Sequence, residues 1–189
     1  MQPRNQNNPQ ILEEPELKLD VPYLSQYLDI EDRIDAITSC GMTCVKMLLD
    51  YYKVPNDELG NLVKKGRAEG GYGQSGWIHD YFVKLFIEYG LSSHRMEKMN
   101  HEKGVIEIVK SIDIKSPVIL SVERKLFSYP SFHMVLITGY KMDKSGNILG
   151  LYYSDPASTN RDTGKSRFAK IKELDEYWRH MAIFVKPKY

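Results

Sequence analysis

Cys40 and Cys44 are the only thiols in the chain. A thiol needs only a base and an orienting group nearby to become a nucleophile. The two stand four residues apart, at the start of a stretch in which Val45, Leu48, Leu49 and Tyr52 recur at helical spacing. On one helix face their Cβ atoms would lie about 5–6 Å apart, too far for an unstrained disulfide. Thr38 or Ser39 can cap that helix, so Cys40 falls at its N-terminus, where backbone N–H groups and the helix dipole favour a thiolate. Position alone leaves Cys40 divided between nucleophile and packing residue. Cys44, one turn further in, reads as a small buried hydrophobe.

Five histidines could serve as the base. His79, His94, His101 and His180 lie in polar or helical surroundings and are expected to face solvent. His133 differs, because it opens the apolar run HMVLITGY. That run is followed by the turn-forming stretch MDKSGN and a second run, ILGLYYS. A hairpin centred near Lys144 puts His133 opposite Asp155. Directly opposed residues share a face, with Cβ atoms about 4.5–5.5 Å apart. A carboxylate there can hold one imidazole nitrogen and leave the other for a thiol. Taken singly, a strand-edge His and an Asp before a Pro have plainer readings as packing and turn residues.

The surrounding elements must bring these three residues together. The chain has 189 residues, 42% of them hydrophobic, which suits a single folded domain. With 26 basic and 25 acidic residues the net charge is +1, and no basic stripe points to a nucleic-acid partner. No apolar run approaches the roughly 18 residues of a membrane span. Residues 1–18 read as a polar tail and residues 19–189 as the folded domain. No apolar signal-peptide core follows Met1, so the chain as written reads as cytoplasmic, with a trimmed form of an exported protein left open. Oligomeric state is not legible.

Residues 19–39 of the domain include an extended stretch at 21–27 and a polar loop at 29–39 before the Cys40 helix. A weaker helix follows at 56–65. GGYGQSG at 70–76 reads as a mobile loop, with Ser75 capping a helix whose buried face runs from Trp77 to Tyr89. A third helix is expected near 101–112, then strands at 117–123, 133–141 and 148–154, a short helix at 170–178 and a last strand at 181–186. Helices thus precede strands in one α+β domain.

Four segments in this order, VPYLSQ, SCGMTCVKMLLDYY, HMVLITGY and YYSDP, resemble the papain-like cysteine peptidases that process bacteriocin leader peptides, and their stand-alone relatives. The resemblance extends over residues 21–187. It implies a papain-like fold, with N-terminal helices packed on an antiparallel sheet. It also implies roles: Cys40 as nucleophile, His133 as base, Asp155 as orienting residue and Gln26 as oxyanion donor. By itself Gln26 would read as a surface residue. The implied substrate is a peptide or protein.

The chain departs from the transporter-linked members of that group. Ser39 stands where they often carry Asp, and no G-x-x-x-x-G-K-[ST] loop is present. Coupling to export and preference for a double-glycine leader are therefore not carried over. No H-E-x-x-H or zinc-like histidine spacing occurs, and GGYGQSG lacks the phosphate-binding pattern, so the chemistry calls for no metal or cofactor. Two other readings keep the same fold: a catalytically silent peptide-binding module, and an acyl transferase using the same triad.

Overall fold

Continuous apolar runs build the centre of one antiparallel sheet, seen in a computed structural model that describes residues 14–123 and 132–188. β5 (Val118–Glu123) and β6 (Phe132–Met142) pair along HMVLI, and both are buried for most of their length. Strands buried on both faces lose the alternating pattern of half-exposed ones. Beyond β5 lie β9 (Trp178–Pro187) and β4 (Leu91–Met96), and beyond β6 lie β7 (Ile148–Ser154) and β8 (Arg167–Lys170). Both edges are polar, LSSHRM in β4 and RFAK in β8. Polar edges resist pairing with other chains, and they also hide these two strands from a search for apolar periodicity.

A further strand, β1 (Glu16–Lys18), lies within the segment expected as a tail. It pairs with the end of β6, Leu17 opposite Tyr140. Gly139 permits this, because a side chain there would occupy the place of the Leu17 carbonyl. Residues 1–13 of the expected tail lie outside the described residues.

The helical part differs from expectation at two points. Residues 29–39, expected as a loop, contain α1 (Arg33–Thr38), whose N-terminus is capped by the Asp32 carboxylate accepting from the Ile34 and Asp35 N–H groups. Ile34 and Ile37 stay exposed, so α1 lacks the buried stripe by which longer helices are recognised. α2 (Cys40–Tyr51) then starts directly after Ser39, whose hydroxyl donates to the Asp35 carbonyl instead of capping α2. The second difference is at GGYGQSG. There β2 (Tyr72–Gly73) and β3 (Gly76–Trp77) form a small hairpin, with Gly76 at a φ of 100° that favours glycine. Trp77 is therefore a strand residue, and α4 (His79–Glu88) starts after it without a Ser75 cap.

α3 (Leu59–Ala68) and α5 (His101–Asp113) fall near their expected places, as does α7 (Ile171–Tyr177); a single extra turn, α6 (Arg161–Gly164), precedes β8. α2 packs on α3, α4 and β6, α5 on β5, β6 and β9, and α7 on β7 and β8. The core runs through Met42, Val45, Leu48 and Leu49 of α2, Phe82 and Phe86 of α4, and the inner residues of β5 and β6.

The β6–β7 register is also corrected. Leu136 opposes Ser154, not Tyr152, and the ladder is irregular between Ile137 and Gly139 and between Lys141 and Met142. At the His133 end of the ladder the slip is two residues, so there it preserves which side chains share a face. Asp155 lies just past the end of β7 as a diagonal neighbour of His133, not its direct partner.

The start of α2 sits close against its neighbours because residue 41 has no side chain. A Cβ on Gly41 would lie 2.5 Å from Phe82 Cζ and 2.8 Å from Met134 Sδ. Gly41→Ala is expected to destabilise the fold by about 1–3 kcal/mol through overpacking, measured by chemical denaturation. A variant as stable as the parent would show that this helix start is not tightly seated.

Candidate active site

Cys40 is held at the first residue of α2 by bonds that brace the α1–α2 corner. Trp77 Nε1 donates to the Thr38 carbonyl at 2.7 Å, and Arg67 Nη2 to Thr38 Oγ1 at 2.6 Å. Arg67 also pairs with Asp35 at 2.9 Å and lies 4.3 Å from the centre of the Tyr72 ring. The same arginine thus ties α1, α3 and the β2–β3 hairpin together beside the thiol. Cys40 is half-buried, whereas Cys44 is fully enclosed, and neither is in a disulfide. Burial, with the nearby Cys40 and Asp155, pushes the Cys44 pKa up, as a packing role requires.

His133 comes from the start of β6, and Asp155 from the loop after β7. His133 Nε2 and Asp155 Oδ1 are 2.8 Å apart, with both side chains 1% exposed. Beside a carboxylate, Nε2 carries the proton. The ring also hydrogen-bonds Cys40, for which Nδ1 is the nitrogen left. Helix and sheet therefore supply opposite sides of one Cys–His–Asp array.

Asp155 has more support than the sequence suggested. Oδ1 accepts from the Ala157 N–H at 3.0 Å, and Oδ2 accepts from Arg167 Nη1 at 2.8 Å. Arg167 is on β8 opposite Tyr153. No motif pointed to it, because β8 itself was not legible. Burial raises the Asp155 pKa, but the bonds and charges of His133, Ala157 N–H and Arg167 outweigh it and hold the carboxyl below its ordinary value. Burial likewise pulls His133 down. The bonds to Asp155 and Cys40, and their charges, prevail and raise it to about 9.

Gln26 is buried, contrary to its plain reading as a surface residue. Its Nε2 donates to the Ala36 carbonyl at 2.6 Å, while its backbone N–H donates to the Pro156 carbonyl at 2.8 Å. It therefore lies between α1 and the residue following Asp155. It is not among the residues lining the cleft described next.

The expectation for the other histidines needs correction too. Only His94 is exposed, its ring stacked on Phe184; His79, His101 and His180 are half-buried. His101 pairs with Asp175 at 2.9 Å and packs on Trp178. Burial, with Arg179 and Arg95, lowers His79 to about 4. For His101 the covering rings, Trp178 and His180, come from a strand distant in sequence. Among the described residues no group of three His, Cys, Asp or Glu side chains is placed to hold a metal, and no helix is long and apolar enough to cross a membrane.

Cys40 and His133 open onto a cleft of about 910 Å³. Its other walls include Ile37 of α1, Trp77 of the hairpin, Phe132 of β6 and Arg179 of β9. A half-exposed thiol beside an oriented imidazole, facing a cleft of this size, can attack a carbonyl carbon.

Residues 18–183 match the family model described as the Peptidase C39 like family. No curated protein matches the chain. Among solved structures, the chain is similar to a double glycine motif protease from an AMS/PCAT transporter, solved in complex with its leader peptide: 20% identity over 90% of this chain and 94% of that one, TM-score 0.59. A protein from Bacillus anthracis described as a C39-like peptidase aligns at 15% identity over 93% and 99%, TM-score 0.65. The peptidase domain of Streptococcus ComA, a bi-functional ABC transporter involved in quorum sensing, aligns at 14% over 80% and 93%, TM-score 0.56. These likenesses establish a shared papain-like fold.

The contrast between the thiols can be measured directly. Brief iodoacetamide treatment of the native protein at about pH 6, read by peptide mass spectrometry, should modify Cys40 quickly and leave Cys44 unlabelled. His133→Ala should slow the Cys40 reaction strongly. Equal, slow labelling of both cysteines would contradict the geometry.

Proposed function

This chain belongs to the Peptidase C39 like family and is a cysteine peptidase, and we propose that it hydrolyses a peptide bond through Cys40, His133 and Asp155. The carrying observation is the buried 2.8 Å contact between His133 Nε2 and Asp155 Oδ1, with Cys40 bonded to the same ring at the edge of an open cleft. A peptide as the occupant is supported by the related transporter protease, whose structure contains a leader peptide.

In the proposed mechanism His133 Nδ1 takes the Cys40 proton, giving a thiolate–imidazolium pair. The thiolate adds to the carbonyl carbon. The backbone N–H of Cys40 and the Gln26 amide donate to the oxyanion that develops. Gln26 spends one N–H on Ala36, and a primary amide has a second. Collapse of the adduct breaks the C–N bond as imidazolium protonates the leaving amine. Water, deprotonated by His133, then hydrolyses the thioester and restores the thiol. Asp155 keeps the ring oriented with Nε2 protonated throughout. Arg167 and the Ala157 N–H hold Asp155 ionised.

Incubating wild-type protein and Cys40→Ala with a peptide library, with products read by mass spectrometry, tests this. The wild type should generate new amino termini and Cys40→Ala none; cleavage by both, or by neither, would sink the triad. Gln26→Ala should lower kcat by about 10²–10³, as loss of one oxyanion donor does.

The pH profile carries a sign. A raised imidazole pKa keeps His133 protonated, and the ion pair intact, until the pH climbs through about 9. The alkaline limb of kcat/KM should therefore fall near pH 9. In Asp155→Asn burial is less opposed, so the limb should move to lower pH. An unchanged limb would show that Asp155 does not set the titration of His133.

A further inference from the structure

Resting on the peptidase reading, we propose that Arg179 selects substrates carrying a carboxylate close to the scissile bond, so that the cleft takes acidic peptides. Among the described residues lining the cleft there is no Asp or Glu, and Arg179 is the one arginine or lysine. The two carboxylates nearest His79 on its own side, Asp80 and Glu97, are both engaged by Arg95, at 3.2 and 3.3 Å. His79 itself is neutral near pH 7, so it neither competes for an anion nor cancels the positive charge.

Arg179 is held as a receptor would be. Its Nη1 donates to Ser121 Oγ at 3.0 Å, and its guanidinium carbon lies 3.7 Å from the centre of the Phe132 ring. One face and one N–H are thereby used. A guanidinium has five N–H donors in a planar fork that matches a carboxylate, and Arg179 has no ion-pair partner among the described residues. A side chain fixed in advance loses less entropy on binding. Partial burial strengthens a charge-assisted bond compared with one on an open surface.

The position relative to the thiol follows from strand order. Ser121 is on β5 opposite Met134, the residue after His133 on β6, and Ser121, Arg179, His133 and Cys40 all line the one cleft. Neighbouring strands are about 4.8 Å apart and an extended peptide advances about 3.3 Å per residue. A carboxylate at Arg179 is thus within about two or three residues of the bond that Cys40 attacks. Phe132, 59% exposed, lies against the Arg179 guanidinium and lines the same cleft, an apolar surface for a neighbouring side chain. The expected ligand is a short extended segment with an acidic side chain or a terminal carboxylate beside an apolar residue.

The test compares quenched fluorescent peptides that differ only in Glu against Gln, or Lys, at each of three positions on either side of the cleaved bond. Cleavage by the wild type and binding to Cys40→Ala by calorimetry are both read. Wild type should prefer Glu by about tenfold or more at one position, as a charge-assisted hydrogen bond implies, and lose that preference at high salt. In Arg179→Gln the preference should fall towards unity, and in Arg179→Glu it should turn towards Lys. Equal handling of Glu and Gln by wild type in both assays, or a Glu preference that persists in Arg179→Gln, would overturn the inference. Acidic peptides that bind selectively but are never cleaved would uphold it and overturn the peptidase reading instead. Should the variants fail to fold, the wild-type Glu/Gln ratio and its salt dependence decide alone.

Discussion

The buried pair of His133 and Asp155 is the constraint on which much of the chain depends. Both side chains are almost wholly removed from water. Burying a carboxylate costs several kcal/mol unless its lone pairs are satisfied, and removing one partner of such a pair typically costs about 3–5 kcal/mol. Each oxygen of Asp155 is therefore met: Oδ1 by His133 and the Ala157 N–H, Oδ2 by Arg167. Those bonds explain why the chain after β7 turns back on itself and why β8 is added at the sheet edge.

The same demand explains the N-terminal stretch VPYLSQ. Tyr23 donates to the Asp155 carbonyl at 2.8 Å, Ser25 Oγ to the Ser158 carbonyl at 2.6 Å, and the Gln26 N–H to the Pro156 carbonyl. Gly164 accommodates this strap, since a side chain there would meet the Tyr23 hydroxyl, and its own carbonyl accepts from the Asp155 N–H at 2.9 Å. Asp29 and Arg161 close the far end at 2.7 Å. A strand-like motif in the sequence is thus a brace across the loop that carries the carboxylate. Gln26 arrives beside the site as part of it.

On the other side of the cleft the thiol is positioned by helix packing. α2 can approach Met134, next to His133, because Gly41 leaves room. Arg67, Trp77 and Asp35 set the corner before it. The thiol and imidazole thus belong to separate halves of the molecule, and their meeting requires both halves to be seated. Short polar elements at this junction, α1 and the β2–β3 hairpin, shape the cleft while adding little to the core.

Cys40 as a helix-start residue, His133 at the head of an apolar strand, Cys44 as packing and the two-strand hairpin ending near Asp155 were all legible in the sequence. They rest on local periodicity and turn chemistry, which act over a few residues. The partnership of His133 and Asp155 was anticipated through a register that the bulged β6–β7 ladder shifts; it survives because the slip at the His133 end is two residues and keeps the shared face. Burial of Gln26, the support of Asp155 by Arg167 and the place of Arg179 in the cleft were not legible. α1, β4 and β8 were hidden by the polar sequences that suit a solvent-facing turn of helix and two sheet edges. By itself the sequence determined which residues have the chemistry and which elements carry them. Only the tertiary structure decided what surrounds each charge, because burial and partnership come from contacts between segments whose residues carry no local record of one another.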